Sequence, residues 1–141
     1  MSEKLSEILK QRYRIVEESL KVAGSIVEMD IEEIKKDRRL VYALKGAMLF
    51  YVQGLLDISN YVVISRDMTP TNHRDIFDIL LRTELMDEKF APLLDRLVVM
   101  RNKLLFAYDE LRIEELYDFI KTKYNELNEL FHQMIKLSGA L

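Results

Sequence analysis

The chain has no cysteine and no tryptophan, and only four glycines and two prolines among its 141 residues. Without cysteine there is no disulfide framework, no thiolate zinc or iron–sulfur site and no thiol nucleophile, which suits a reducing, cytoplasmic setting. So little Gly and Pro cannot supply the turns of a β-sandwich or the glycine-rich loop of a dinucleotide-binding unit, so long helices are favoured. An excess of positive charge is also missing: 21 Lys and Arg against 24 Asp and Glu leave a net charge of −3. Any nucleic-acid contact must then rest on a local cluster of cations. Targeting and membrane signals are not expected either. Met1-Ser2-Glu3-Lys4 is charged and is not followed by the apolar core of a signal peptide. The most apolar stretch, Leu40 to Ile64, is interrupted by Lys45, Gln53, Asp57 and Asn60. Its longest uncharged run, Gly46 to Leu56, falls short of the about 20 residues a bilayer span needs and reads as a buried helix, with no membrane role expected.

What the chain does have is helical periodicity. A length of 141 residues fits one domain, 1–141, in which folding buries roughly 70% of the unfolded surface. From Glu3 to Glu28, Leu5, Ile8, Leu9, Val16, Leu20, Ala23 and Val27 recur at helical spacing. Asp30-Ile31-Glu32-Glu33 is an acidic cap opening a short helix, and Asp37 is placed to cap the next. That helix, Arg38 to Ser65, is apolar nearly all round and should be central. Arg66 to Thr71, with Pro70, is the clearest break; a shorter helix with Ile76, Phe77, Leu80 and Leu81 follows and ends near Glu84 to Asp87. Pro92 falls in the first turns of a helix carrying Leu93, Leu97, Met100 and Leu104. The last helix, Ile113 to Leu137, has Gly139 as a stop. The expectation is an all-α, up-and-down bundle of four long helices and a short one.

Two charges sit where apolar residues belong. On the helix after Pro92 a second stripe runs 94, 98, 101, 105, 108, and its middle position is Arg101. On the central helix, Phe50, Gly54, Asp57, Tyr61 and Ile64 share a flank whose only charge is Asp57, and Gly54 permits close approach of another backbone. An unpaired buried charge costs several kcal/mol, so an Arg101–Asp57 contact is expected, within one chain or across a dimer. Spacing alone does not choose between a structural ion pair and a functional one.

The stretch Met100-Arg101-Asn102-Lys103-Leu104-Leu105-Phe106-Ala107-Tyr108-Asp109 resembles the signature of the HepT-like family, minimal HEPN-type toxins of bacterial and archaeal toxin–antitoxin pairs. The family pattern is Arg, four residues, His, one residue, Tyr, usually with Asn after the Arg. Leu55 to Asn60, the break at Pro70 and the passage from Tyr108-Asp109 into a final helix are similar too, so the resemblance runs from about residue 35 to the end. It implies an HEPN-like fold and a metal-independent ribonuclease that needs no cofactor and acts as a homodimer on RNA. It also implies a nucleotidyltransferase antitoxin that silences the toxin by transferring AMP to the motif Tyr. By position, Arg101 would contact the scissile phosphate, Asn102 would be its neighbour and Tyr108 would accept AMP.

One position departs from the pattern: Phe106 stands where the family has His. A phenyl ring moves no protons, and loss of a general acid–base group costs about 10²–10⁴ in rate. The alternative is therefore a catalytically silent module that keeps the dimer and the antitoxin interface. A third reading is a plain helical scaffold. Neither His73, at the start of the short helix after the break, nor His132, on a polar face of the last helix, replaces the missing imidazole. On a straight helix position 106 lies about 140° from Arg101, while 108 lies within about 20° of it. Either the helix unwinds there or a second chain completes the site. Phe106 itself suits packing better than base stacking. Lys35, Lys36, Arg38, Arg39 and Lys45 form the main cationic cluster and read first as a solvated helix end. Glu32-Glu33 and Glu114-Glu115 lack a His at ligand spacing, which argues against a di-iron bundle.

Overall fold

The structure, a computed structural model, describes residues 3–139. Six helices and one 3-10 turn follow in order: α1 (Glu3–Ile26), α2 (Ile31–Lys36), α3 (Arg38–Ser65), α4 (His73–Arg82), the 3-10 turn (Glu88–Phe90), α5 (Ala91–Phe106) and α6 (Ile113–Gly139). No strand occurs among the described residues. The all-α bundle expected from periodicity is what forms, with four long helices and two short ones, α2 and α4.

Local chemistry sets most of the boundaries. The Asp30 carboxylate accepts from the Glu32 N–H and that of Asp37 from the Arg39 N–H, each satisfying a free donor of a first turn. Asn72 does the same for α4 by accepting from the Asp75 N–H. Pro92 stands in the first turn of α5, where its missing N–H leaves no bond unmade.

Pairs of contacts give the helix directions. Arg12 meets Asp57 and Val16 lies against Gly54, so α1 and α3 are antiparallel. Tyr51 bonds Leu127 and Ser59 bonds Met134, so α3 and α6 run the same way. Lys89 meets Glu129 and the Arg96 guanidinium covers the Phe119 ring at 4.4 Å, so α5 opposes α6. The long helices therefore alternate in direction along the chain, as an up-and-down bundle requires. α3 packs against α1, α2, α4, α5 and α6, which explains why it is apolar on nearly every side. It is long and apolar enough to cross a membrane, but 61% of that apolar window is buried against the other helices, as befits a central core helix. Tyr51 is fully buried on it and donates to the Leu127 carbonyl at 2.6 Å; burial pushes its phenol pKa well above the usual value.

Two details depart from the expected core. Leu5 and Ile8 are 42% and 39% exposed, because the start of α1 runs beside the last turns of α3 and borders an open cleft instead of the core. On α3, Tyr42, Phe50 and Ile64 face solvent. Gly54 is the close-approach point: a Cβ there would strike the Val16 side chain, which is completely buried and has no room to retreat. Gly54→Ala gains helix propensity of up to ~1 kcal/mol but overpacks the α1–α3 contact by about 1–3 kcal/mol. A net fall in Tm by thermal denaturation is the expected result.

Candidate functional site

Arg101 sits on the inward stripe of α5 beside buried Leu94, Leu97 and Val98, and only 7% of it is exposed. A guanidinium so placed needs acceptors. Its Nε donates to the Gln53 Oε1 at 2.9 Å and its Nη1 to the Asn102 Oδ1 at 3.1 Å. The Gln53 amide in turn donates through Nε2 to the Asp57 Oδ1 at 3.0 Å, one helical turn along α3. The other carboxylate oxygen, Oδ2, accepts from the Arg12 Nε at 3.0 Å. Four side chains from α1, α3 and α5 thus stand in one line: Arg12, Asp57, Gln53, Arg101.

This corrects the expected direct contact. Within the chain Asp57 is the partner of Arg12, and it reaches Arg101 only through Gln53. The physical reason lies in register: the Val16–Gly54 approach draws α1 close and lays Arg12 over Asp57. Gln53 has a forced orientation, since the carboxylate requires a donor and the Arg101 Nε an acceptor. The second Nη of Arg101 makes no hydrogen bond among the described residues. No fully buried side-chain polar atom among them is left unpartnered, so this nitrogen keeps some contact with solvent although the residue as a whole is buried.

Beyond Arg101 the chain leaves the helix. α5 ends at Phe106; Ala107 turns out of helical geometry with φ −140° and ψ 48°, its N–H still held by the Lys103 carbonyl. The expected stripe through position 108 therefore stops short: Tyr108 lies on the turn, not on α5. Phe106 is still the last residue of α5, so the end of the helix redirects Tyr108 but not Phe106. Buried Leu111 pins that turn to the core, while Phe106 and Tyr108 project outward, 79% and 68% exposed. Asn102 is exposed beside them. His73 and His132 are exposed as well, and the His132 ring lies tilted against Phe131 at 5.6 Å. Two members of the cationic cluster are ion-paired: Lys35 pairs with Glu114 at 3.2 Å and Arg39 with Asp37 at 3.0 Å, which holds both carboxyls below their usual range.

The arrangement offers three chemical elements: a desolvated guanidinium with one nitrogen free, an accessible phenol and a wide apolar ring between them in sequence. A family model described as Ribonuclease HepT-like matches residues 16–134. The chain belongs to the HepT-like family. No match was found among curated proteins or solved structures. The family membership agrees with the all-α, HEPN-like bundle and points to the RNase-type proteins of this class. The HepT-like match starts at residue 16, so Arg12 lies outside it.

Gln53 and Arg12 are the site residues the sequence did not single out. Gln53 had a signal, as a polar interruption of an apolar run one turn from Asp57. For Arg12 the signal is fainter: it occupies the gap between Leu9 and Val16 on the stripe by which α1 packs, where an apolar residue would be ordinary.

Proposed function

We propose that this protein is the toxin component of a toxin–antitoxin pair, a cytoplasmic homodimer of single HepT-like domains spanning 1–141, built for metal-independent RNA cleavage and silenced by a nucleotidyltransferase antitoxin. The observation that carries this reading is Arg101, a charged residue kept among core leucines by a dedicated acceptor and left with one nitrogen facing out. In the reaction the ribose 2′-hydroxyl oxygen attacks phosphorus and the 5′-oxygen departs. The products are a 2′,3′-cyclic phosphate and a 5′-hydroxyl. Charge gathers on the phosphate oxygens, and the Arg101 guanidinium answers it, with Asn102 adjacent. A base takes the 2′ proton and an acid returns one to the leaving oxygen; position 106 is where the family keeps that group.

The dimer is supported by an exposed strip on α3. At 100° per residue Tyr42, Gln53, Asp57, Ile64 and Phe50 fall within about 80° of arc, so exposed apolar rings and the polar line toward Arg101 share one face. A second copy laid there covers the rings and brings two Arg101 sites together. It also brings a second motif to Arg101, which matters because Arg101 and Phe106 diverge on their own helix.

Tyr108 is the AMP acceptor in this reading. Its phenol oxygen attacks the α-phosphorus of ATP in the partner enzyme, pyrophosphate leaves and the phenolic proton is released. The support is exposure, 68%, on a turn anchored by Leu111, so an enzyme active site can reach the hydroxyl without unfolding the bundle. Incubation with the cognate nucleotidyltransferase and ATP is expected to add AMP masses that map to Tyr108 and vanish in Tyr108→Phe. An unchanged intact mass removes the modification claim.

A second reading is favoured by Phe106 itself. With no imidazole in the motif the chain is a silent module that keeps the fold, the dimer and the antitoxin surface. Its distinguishing result is antitoxin binding with RNA cleavage no faster than in Arg101→Ala.

A further inference from the structure

We infer that Arg12, outside the stretch matched to the family, is a positioning residue that holds Asp57 away from Arg101 and so keeps the Arg101 charge free for a phosphate. The inference rests on the reading of Arg101 as a phosphate contact.

Two guanidinium groups compete for one carboxylate. Asp57 stands one helical turn along α3 from Gln53, the residue Arg101 meets, so a direct bidentate pair between the two charges is the competing arrangement. Such a pair would cancel the guanidinium charge and occupy its outward nitrogen. The structure has a different arrangement. Arg12 takes Oδ2 of Asp57 and Gln53 takes Oδ1, so both oxygens are engaged before Arg101 is reached. What Arg101 receives is the neutral carbonyl of Gln53. A neutral acceptor satisfies one N–H and fixes the plane of the guanidinium without cancelling its charge. Two cations share one anion along this line, and the surplus positive charge is left at the Arg101 end, where the solvent-facing nitrogen is.

Arg12 and Asp57 are each more than a third exposed, at 36% and 38%. An ion pair that open contributes little to folding, so removing Arg12 should leave the bundle intact. The pair borders a cleft of about 270 Å³ lined also by Ile8, Asn60 and Tyr61, so the Asp57 carboxylate is not locked in place by core packing on that side. Without Arg12, the nearest cation available to Asp57 along the line is Arg101.

The test is a double-substitution cycle on the full chain with two readouts. The first is affinity for a fluorescein-labelled mixed-sequence single-stranded RNA oligonucleotide, by anisotropy at fixed salt. The second, which needs no RNA, is the NMR resonance of the Arg101 Nε–H, assigned by its loss in Arg101→Lys. Arg12→Ala is expected to weaken RNA binding by about twofold to fivefold, the scale of one lost exposed charge contact, and to move the Arg101 resonance. Adding Asp57→Asn should restore both, because an amide cannot neutralise Arg101, and Arg12→Lys should stay near wild type. Loss of affinity that Asp57→Asn does not reverse overturns the inference, since Arg12 would then touch RNA itself. A resonance that does not move in Arg12→Ala also overturns it. If the resonance moves and returns while Arg101→Ala leaves RNA affinity unchanged, the positioning role stands and the phosphate-contact reading falls.

Discussion

Phe106→His is expected to raise RNA cleavage by about 10²–10⁴-fold, the usual contribution of a placed general acid–base group. The site around it favours this gain. Phe106 is 79% exposed, so its replacement removes no core packing and the fold should be unchanged. It is the last residue of α5, where the carbonyl end of the helix stabilises a cation by about 0.3–1 kcal/mol and so helps an imidazole carry a proton. Nothing else in the motif has to be rebuilt: Arg101 keeps Gln53 and Asn102, and the turn carrying Tyr108 is pinned by Leu111. Under the proposed toxin role, growth arrest on induction is expected alongside the cleavage. A variant that folds, binds RNA and cleaves no faster than the parent favours the silent module.

Arg101→Ala is the second large effect, and it acts on two levels. The chemical one is loss of transition-state charge stabilisation, worth about 10²–10³ in rate for a single well-placed donor, so residual cleavage by the parent should fall to background. The structural one follows from burial. Removing the guanidinium leaves the Gln53 Oε1 without its donor in a part-buried contact that water can partly reach, costing about 1 kcal/mol, while Arg12 and Asp57 stay paired. Thermal denaturation read beside RNA cleavage separates the two. Arg74→Ala is the control, because Arg74 pairs with Asp95 on the exposed side of α4 and should change neither quantity appreciably. Equal cleavage by the parent and Arg101→Ala would mean that the activity measured does not belong to this site.

How much of this could be read from residues alone depends on whether the cause was local. Asp30 and Asp37 announced their helices because a capping carboxylate bonds an N–H two residues away, and both bonds form. Arg101 was visible as a charge on an apolar stripe, and its burial follows from the stripe. The end of α5 was hidden: no Gly or Pro marks Ala107, and the helix stops because Leu111 is drawn into the core, which turns the chain at Tyr108. The Arg12–Asp57 pair was hidden for a related reason. It depends on the register of α1 on α3, set by Val16 against Gly54, and no periodicity within one helix reports the register of two.

The central claim is that this chain carries a HepT-like ribonuclease site complete but for its imidazole. The most direct measurement compares Phe106→His with Phe106→His/Arg101→Ala on single-stranded RNA in excess chelator, reading both rate and the chemistry of the new ends. The account predicts cleavage by the single variant without metal, fragments ending in 2′,3′-cyclic phosphate, and loss of that activity in the double variant. Absence of cleavage by the single variant, or equal cleavage by the two, would contradict it.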